Sequence, residues 1–99
     1  MPVRQVVEDF VELGPLPDSS ASVDTIARHE KLLARITRPV TDEEAAELIK
    51  CFGPDDCFGL AWTLLHLVES APGDSPVKEA PSESANEWIK RLWDRSHRK

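Results

Sequence analysis

Residues 52–72 read FGPDDCFGLAWTLLHLVESAP. Asp55 and Asp56 open this stretch, and its next charge is Glu69. Between Cys57 and Val68 only Gly59, Thr63 and His66 are not apolar. Together with Asp56 and Ser70 they lie at positions 56, 59, 63, 66 and 70, a seven-residue repeat that places them on one helical stripe. The other faces carry Phe58, Leu60, Ala61, Trp62, Leu64, Leu65, Leu67 and Val68. A helix with so narrow a polar stripe is expected at the centre of an all-α fold, covered on most sides. Pro54 fits its first turn, with Asp55 and Asp56 favoured at that end. Trp62→Ala is then expected to cost about 3–5 kcal/mol, the range for a fully buried tryptophan.

The neighbouring segments are helical by the same periodicity. Val3, Val7, Phe10 and Val11 define a first helix over residues 3–13, with Pro2 tolerated ahead of it and Gly14-Pro15 after it. Residues 14–20, GPLPDSS, form a turn or short extended link. A second helix over residues 23–37 starts at the N-cap Ser22 and carries Ile26, Leu33 and Ile36 on its stripe. Arg35 and Arg38 suit its C-terminal end, and Pro39 stops it. The third helix begins with the capping box Thr41–Glu44 and ends at Gly53. Ala45, Leu48, Ile49 and Phe52 form its apolar face. Residues 71–83, APGDSPVKEAPSE, form a surface loop. A last helix follows, with a capping box Ser84–Glu87 and the docking residues Trp88, Ile89, Leu92 and Trp93. The expectation is a single domain over residues 1–99, a bundle of about five helices. Helices two and three would form an antiparallel hairpin with helix four packed back on three, as in HEAT-like stacks.

The 99 residues carry a formal net charge of −6, unevenly spread: residues 1–81 hold −8 and residues 82–99 hold +2. Such a body repels a phosphate backbone and attracts a basic surface. Direct nucleic-acid binding is therefore disfavoured, since it relies on many phosphate contacts. No apolar run approaches the roughly 20 residues that span a bilayer, so no membrane partner is expected. The N-terminus MPVRQVVEDF lacks the apolar core of a signal peptide. Two cysteines make no disulfide framework, and a cytoplasmic, reducing location is expected.

Chemistry is weakly signalled. Cys57 and His66 are nine residues apart, about 13 Å along a helix axis, too far for a thiolate–imidazole pair. No phosphate loop, zincin signature or nucleophile elbow is present. The expectation is a non-enzyme without catalytic, cofactor or metal residues. A small hydrolase or metal site around Asp56 and His66 is the enzymatic rival, and it requires a pocket joining those side chains.

The acidic surface is the stronger lead. Asp42, Glu43, Glu44 and Glu47 crowd the third helix, and Asp55 and Asp56 follow eight residues later. One reading is an ordinary solvated face. The other is a docking site for a basic protein, with Trp88 or Trp93 as anchor if exposed. The polar stripe of the fourth helix is likewise either structural or the lining of a groove beginning at Asp55 and Asp56. A homodimer is a further expectation, because two tryptophans exceed what one short helix can bury.

The stretch RPVTDEEAAELIKCFGPDDCFGLAWTLLHLVESAP, residues 38–72, with NEWIKRLW at residues 86–93, resembles small uncharacterised bacterial proteins of helical, HEAT-like type. Some of these are found, in the manner of immunity proteins, beside secreted toxins. The resemblance implies a non-enzymatic protein that binds another protein, most specifically one that neutralises a nuclease-type toxin by covering its basic surface. It assigns no residue a role. An adaptor or homo-oligomeric structural protein is the alternative.

Overall fold

The computed structural model describes residues 3–73 and 80–97. They form five helices and no strand: α1 Gln5–Leu13, α2 Val23–Ala34, α3 Asp42–Leu48, α4 Leu60–Glu69 and α5 Glu87–His97. A Cα radius of gyration of 12.9 Å is that of a compact globule of about 100 residues. Pro2 and loop residues 74–79 lie outside the described residues.

The bundle is organised around α4, which packs against α2, α3 and α5, while α1 covers α2 and α3. Leu60, Ala61, Leu64, Leu65, Leu67 and Val68 of α4 are buried. They share one core with Val7 and Phe10 of α1, Leu33 of α2, Ala45 and Leu48 of α3, and Trp88 and Leu92 of α5. The central position expected for the fourth helix is present. Its enclosure is less complete than the sequence suggested. Thr63, His66 and Glu69 face solvent, and Trp62 with them at 37% exposure. The full cost of a buried tryptophan therefore does not apply to Trp62→Ala. The principal neighbours of α2 are α1 and α4 rather than α3. Its buried stripe faces Phe10, whose ring meets His29 edge-on at 6.1 Å.

Local capping explains several helix starts. Ser22 Oγ accepts from the Thr25 amide at 3.2 Å. The Thr41–Glu44 box is reciprocal: Thr41 Oγ1 accepts from the Glu44 amide at 3.1 Å, and Glu44 Oε1 accepts from the Thr41 amide at 2.9 Å. Several boundaries differ from expectation: the first helix starts at Gln5 rather than residue 3, and the second ends at Ala34 rather than 37. The third helix tightens into a 3₁₀ turn over Ile49–Cys51 instead of continuing to Gly53. The fourth begins at Leu60, so Pro54, Asp55 and Asp56 precede it in a loop. The intervening turn Cys57–Gly59 holds three left-handed residues in succession, with φ of 45°, 55° and 91°. No continuous helix can pass through them. Gly59 thus serves the backbone rather than a close helix approach: nothing lies within 4 Å of where its Cβ would be.

The fifth helix is capped by Asn86 rather than by Ser84. Asn86 Oδ1 accepts from the Trp88 amide at 2.7 Å, and its Nδ2 donates to the Gly53 carbonyl at 2.9 Å. One side chain both starts α5 and ties it to the α3–α4 link. Asn86→Ala should therefore lower stability by about 1–2 kcal/mol in urea unfolding, whereas Ser84→Ala should change it by less than about 0.5 kcal/mol. Equal effects of the two changes would refute this capping assignment.

Candidate protein-binding surface

The acidic residues singled out from the sequence divide into internal and external groups. Glu44 is wholly buried. Its Oε2 accepts from the Arg4 amide at 3.0 Å and from Arg4 Nε at 2.8 Å, and its Oε1 accepts from Arg4 Nη2 at 3.2 Å. Burial alone would push this carboxyl up. The guanidinium, with the Thr41 and Arg4 amides, instead holds it at about 2. Glu44 is a structural ion pair, so its place on a docking face is corrected. Arg4 also donates to Thr37 Oγ1 at 2.8 Å, joining the start of α1 to the α2–α3 link.

The remaining acids are reachable to different degrees. Asp42 is exposed, and its Oδ1 accepts from the Gly73 amide at 2.9 Å, holding the start of the 71–83 loop. Glu43 is exposed. Glu47 pairs with Lys50 at 3.2 Å. Its side chain borders an open hollow of about 370 Å³ between α1 and α3, lined also by Val3, Glu8, Val11 and Glu12. Three carboxylates thus rim a small apolar floor. The sequence reading singles out neither Glu8 nor Glu12. Their i,i+4 spacing on α1 is the signal that was there, since like charges so placed repel unless something compensates them.

A second acidic group surrounds the left-handed turn. Asp55 Oδ2 accepts from the Ser19 amide at 3.0 Å, and its Oδ1 accepts from the Cys57 amide at 2.8 Å. These two amides lower its carboxyl below the ordinary range. Asp55 therefore pins the α1–α2 link to the turn before α4, and its role is at least partly internal. Asp56 is exposed, and its carboxylate makes no hydrogen bond or ion pair among the described residues. Burial, then the negative fields of Asp55, Asp56 and Asp18, push the Cys57 thiol up. Burial first, and then Glu47, raise Cys51 to about 11. Both cysteines are buried and free. At neutral pH both stay protonated and are poor nucleophiles.

Of the two expected anchors, Trp88 is buried and Trp93 half-buried. Trp88 is 3% exposed, stacked on Phe52 with centroids 6.1 Å apart and edge-on to Trp62 at 5.1 Å. It closes the core instead of offering an anchor. Trp93 is half-buried and packs against the same core. Among the described residues the exposed aromatics are Phe58, at 73%, and Trp62, at 37%; Phe58 is the more exposed. The periodicity had counted it as a buried face of the fourth helix. Its place just before Gly59, in a Pro-Asp-Asp run, was the available turn signal.

The polar stripe faces solvent. Thr63 Oγ1 donates to the Gly59 carbonyl at 3.4 Å, and His66 Nδ1 lies 3.3 Å from Glu69 Oε1, which also accepts from Arg95 Nη2 at 3.0 Å. His66 borders an open hollow of about 540 Å³ with Thr37, Arg38 and Thr63 over Leu33, Ile36 and Leu67. Asp56 does not line it, so the pairing required by the enzymatic rival is not formed. Among the described residues no three His, Cys, Asp or Glu side chains gather to hold a metal ion, and no helix is long and apolar enough to cross a membrane. Compared with known proteins, the chain matches no family model, no curated protein and no solved structure.

Proposed function

We propose that this chain is a protein-binding protein that captures a basic partner through its acidic face, most specifically a cytoplasmic immunity protein for a nuclease-type toxin. The observation that supports this reading is the α1–α3 hollow, where Glu8, Glu12 and Glu47 stand around Val3 and Val11. A lysine or arginine is amphipathic in the same way. Its aliphatic stem would lie on the valines while its cation meets the carboxylates. The net charge of −8 over residues 1–81 would speed encounter with a basic protein and disfavour acidic competitors. The toxin itself comes from the sequence resemblance. The HEAT-like comparison belongs to the same proposal, with α3 and α4, packed on each other across a short link, as one hairpin of such a stack.

The test is calorimetric titration of the purified protein with the product of the adjacent reading frame, at two salt concentrations. Glu8→Lys with Glu12→Lys should weaken the complex at least about tenfold and flatten its salt dependence. Both side chains are exposed, so folding should be kept. An unchanged Kd, or no complex with a basic protein at low salt, would overturn the proposal. Light scattering that shows only a self-associated species would favour the homo-oligomeric alternative.

A further inference from the structure

Phe58 sits in a conformation that its own side chain disfavours and in a solvent that its side chain disfavours. Its φ is 55° and ψ 35°, and the preceding Cys57 has φ 45°. Two consecutive non-glycine residues in the left-handed region are costly, and such strain persists only where surrounding contacts enforce it. Those contacts are present. Asp55 fixes the Cys57 amide, and the Asp56 carbonyl accepts from the Gly59 and Ala61 amides at 3.0 and 3.1 Å. Folding gains nothing from the ring so displayed, because a 73% exposed phenylalanine buries little apolar surface. Four residues on, in the first turn of α4, Trp62 is also exposed, at 37%, so the start of α4 carries two exposed aromatic side chains.

The charge around Phe58 selects what can cover it. Asp55 and Asp56, the latter without a hydrogen bond or ion pair among the described residues, directly precede Cys57. Asp18 adjoins them, because the Ser19 amide is bonded to Asp55. Arg91, the cation held against Trp62, is already engaged. Its guanidinium lies 5.3 Å from the Trp62 ring centre and 5.0 Å from that of Trp88, and it pairs with Glu87 at 3.2 Å. The protein thus already stacks an arginine over Trp62 and Trp88, while among the described residues no cation lies over Phe58. A second copy of the chain is a poor occupant. Two partly exposed side chains fall far short of the roughly 800 Å² per partner that a stable interface buries. A symmetric contact would also set the two Asp18–Asp55–Asp56 groups against each other.

We propose that Phe58, with Trp62 in the first turn of α4 and Asp18, Asp55 and Asp56 around the neighbouring Cys57, is a docking point for an arginine-bearing segment of a protein partner. The guanidinium stacks on the Phe58 ring and pairs with Asp56, and neighbouring apolar residues of the segment cover Trp62. This rests on the reading that the chain binds a basic protein, but it places the recognition on a different surface from the α1–α3 hollow.

The test is an amide and indole NMR titration with the peptide acetyl-Gly-Arg-Leu-Arg-Gly-amide, and with its lysine and citrulline counterparts. The arginine peptide should shift the Cys57–Gly59 amides and the Trp62 indole. The lysine peptide should bind at least about threefold more weakly, and the citrulline peptide should leave these signals in place. Phe58→Leu keeps an apolar side chain but removes the ring, and should weaken arginine-peptide binding at least about fivefold. Asp56→Asn should do the same, with both variants keeping the wild-type amide pattern elsewhere. Shifts confined to Glu8, Glu12 and Glu47 would overturn this inference and leave the proposed acidic hollow standing. Shifts at Phe58 that survive Glu8→Lys with Glu12→Lys would support the inference and reject the hollow. Equal affinity of Phe58→Leu and wild type would overturn it, and silence at both surfaces would reject both.

Discussion

Glu44→Ala should lower the stability of this protein by about 3 kcal/mol, the scale for removing one partner of a buried ion pair. For a domain of this size that corresponds to a fall in Tm of about 12–24 °C. The substitution would remove the acceptor of four hydrogen bonds, three from Arg4 and one from Thr41. The Arg4 and Thr41 amides would lose their partner, and with them the reciprocal half of the capping box, while Thr41 Oγ1 would still accept from the residue 44 amide. A pH signature should accompany the loss. The folded carboxyl sits at about 2 against an ordinary 4.5, so the folded state binds this proton less readily than the unfolded chain does. Its contribution is therefore complete above about pH 4.5 and disappears as pH falls from there toward 2. Thermal scans across that window should show wild type losing stability more steeply than Glu44→Gln. Parallel profiles would show that the pair contributes nothing to acid sensitivity.

Gly53→Ala should be as damaging, for a steric reason. A Cβ at residue 53 would lie 2.0 Å from the Leu16 carbonyl oxygen and 2.8 Å from its carbonyl carbon. The obstacle is backbone, and that backbone is fixed, since the Leu16 amide donates to the Cys51 carbonyl at 2.8 Å. Relief requires moving the α1–α2 link away from the α3–α4 link. It would also strain the Asn86 bond to the Gly53 carbonyl. The expected loss is at least about 3 kcal/mol in urea unfolding. Gly59→Ala is the control. Its φ of 91° disfavours a side chain, but no atom lies within 4 Å of the added carbon. About 1 kcal/mol should be lost there. If Gly53→Ala proves the milder of the two, the close approach at Leu16 is not a constraint on the fold.

These two residues show where sequence reading stops. Gly53 was legible as a stop after the third helix, a local role. Its decisive neighbour, Leu16, is 37 positions away, and nothing in the pattern of residues 14–20 announces that the link crosses there. Asn86 is similar. A Ser-x-x-Glu spacing pointed to Ser84, but Asn86 also reaches the Gly53 carbonyl, and that added bond fixes where α5 begins. The 3.6-residue period places Phe58 on a buried face, but α4 begins only two residues later, at Leu60. Hydrophobic periodicity carries no mark of where left-handed backbone interrupts it.

The sequence by itself determined that this is an all-α chain, that a Thr41–Glu44 box opens the third helix, and that an apolar fourth helix lies at the centre. Those features depend on groups within one or two turns of each other, and such interactions are written in spacing. Tertiary structure alone decided which acids are internal and which aromatic faces water. The spacing that made Glu44 a capping residue also placed it within reach of Arg4, 40 positions earlier, and their pairing removed it from the surface. The same packing buried Trp88 against Phe52, and the left-handed turn that buries Cys57 leaves Phe58 outside. Which side of a helix remains uncovered depends on where the other helices lie, and no single stretch of sequence contains that information.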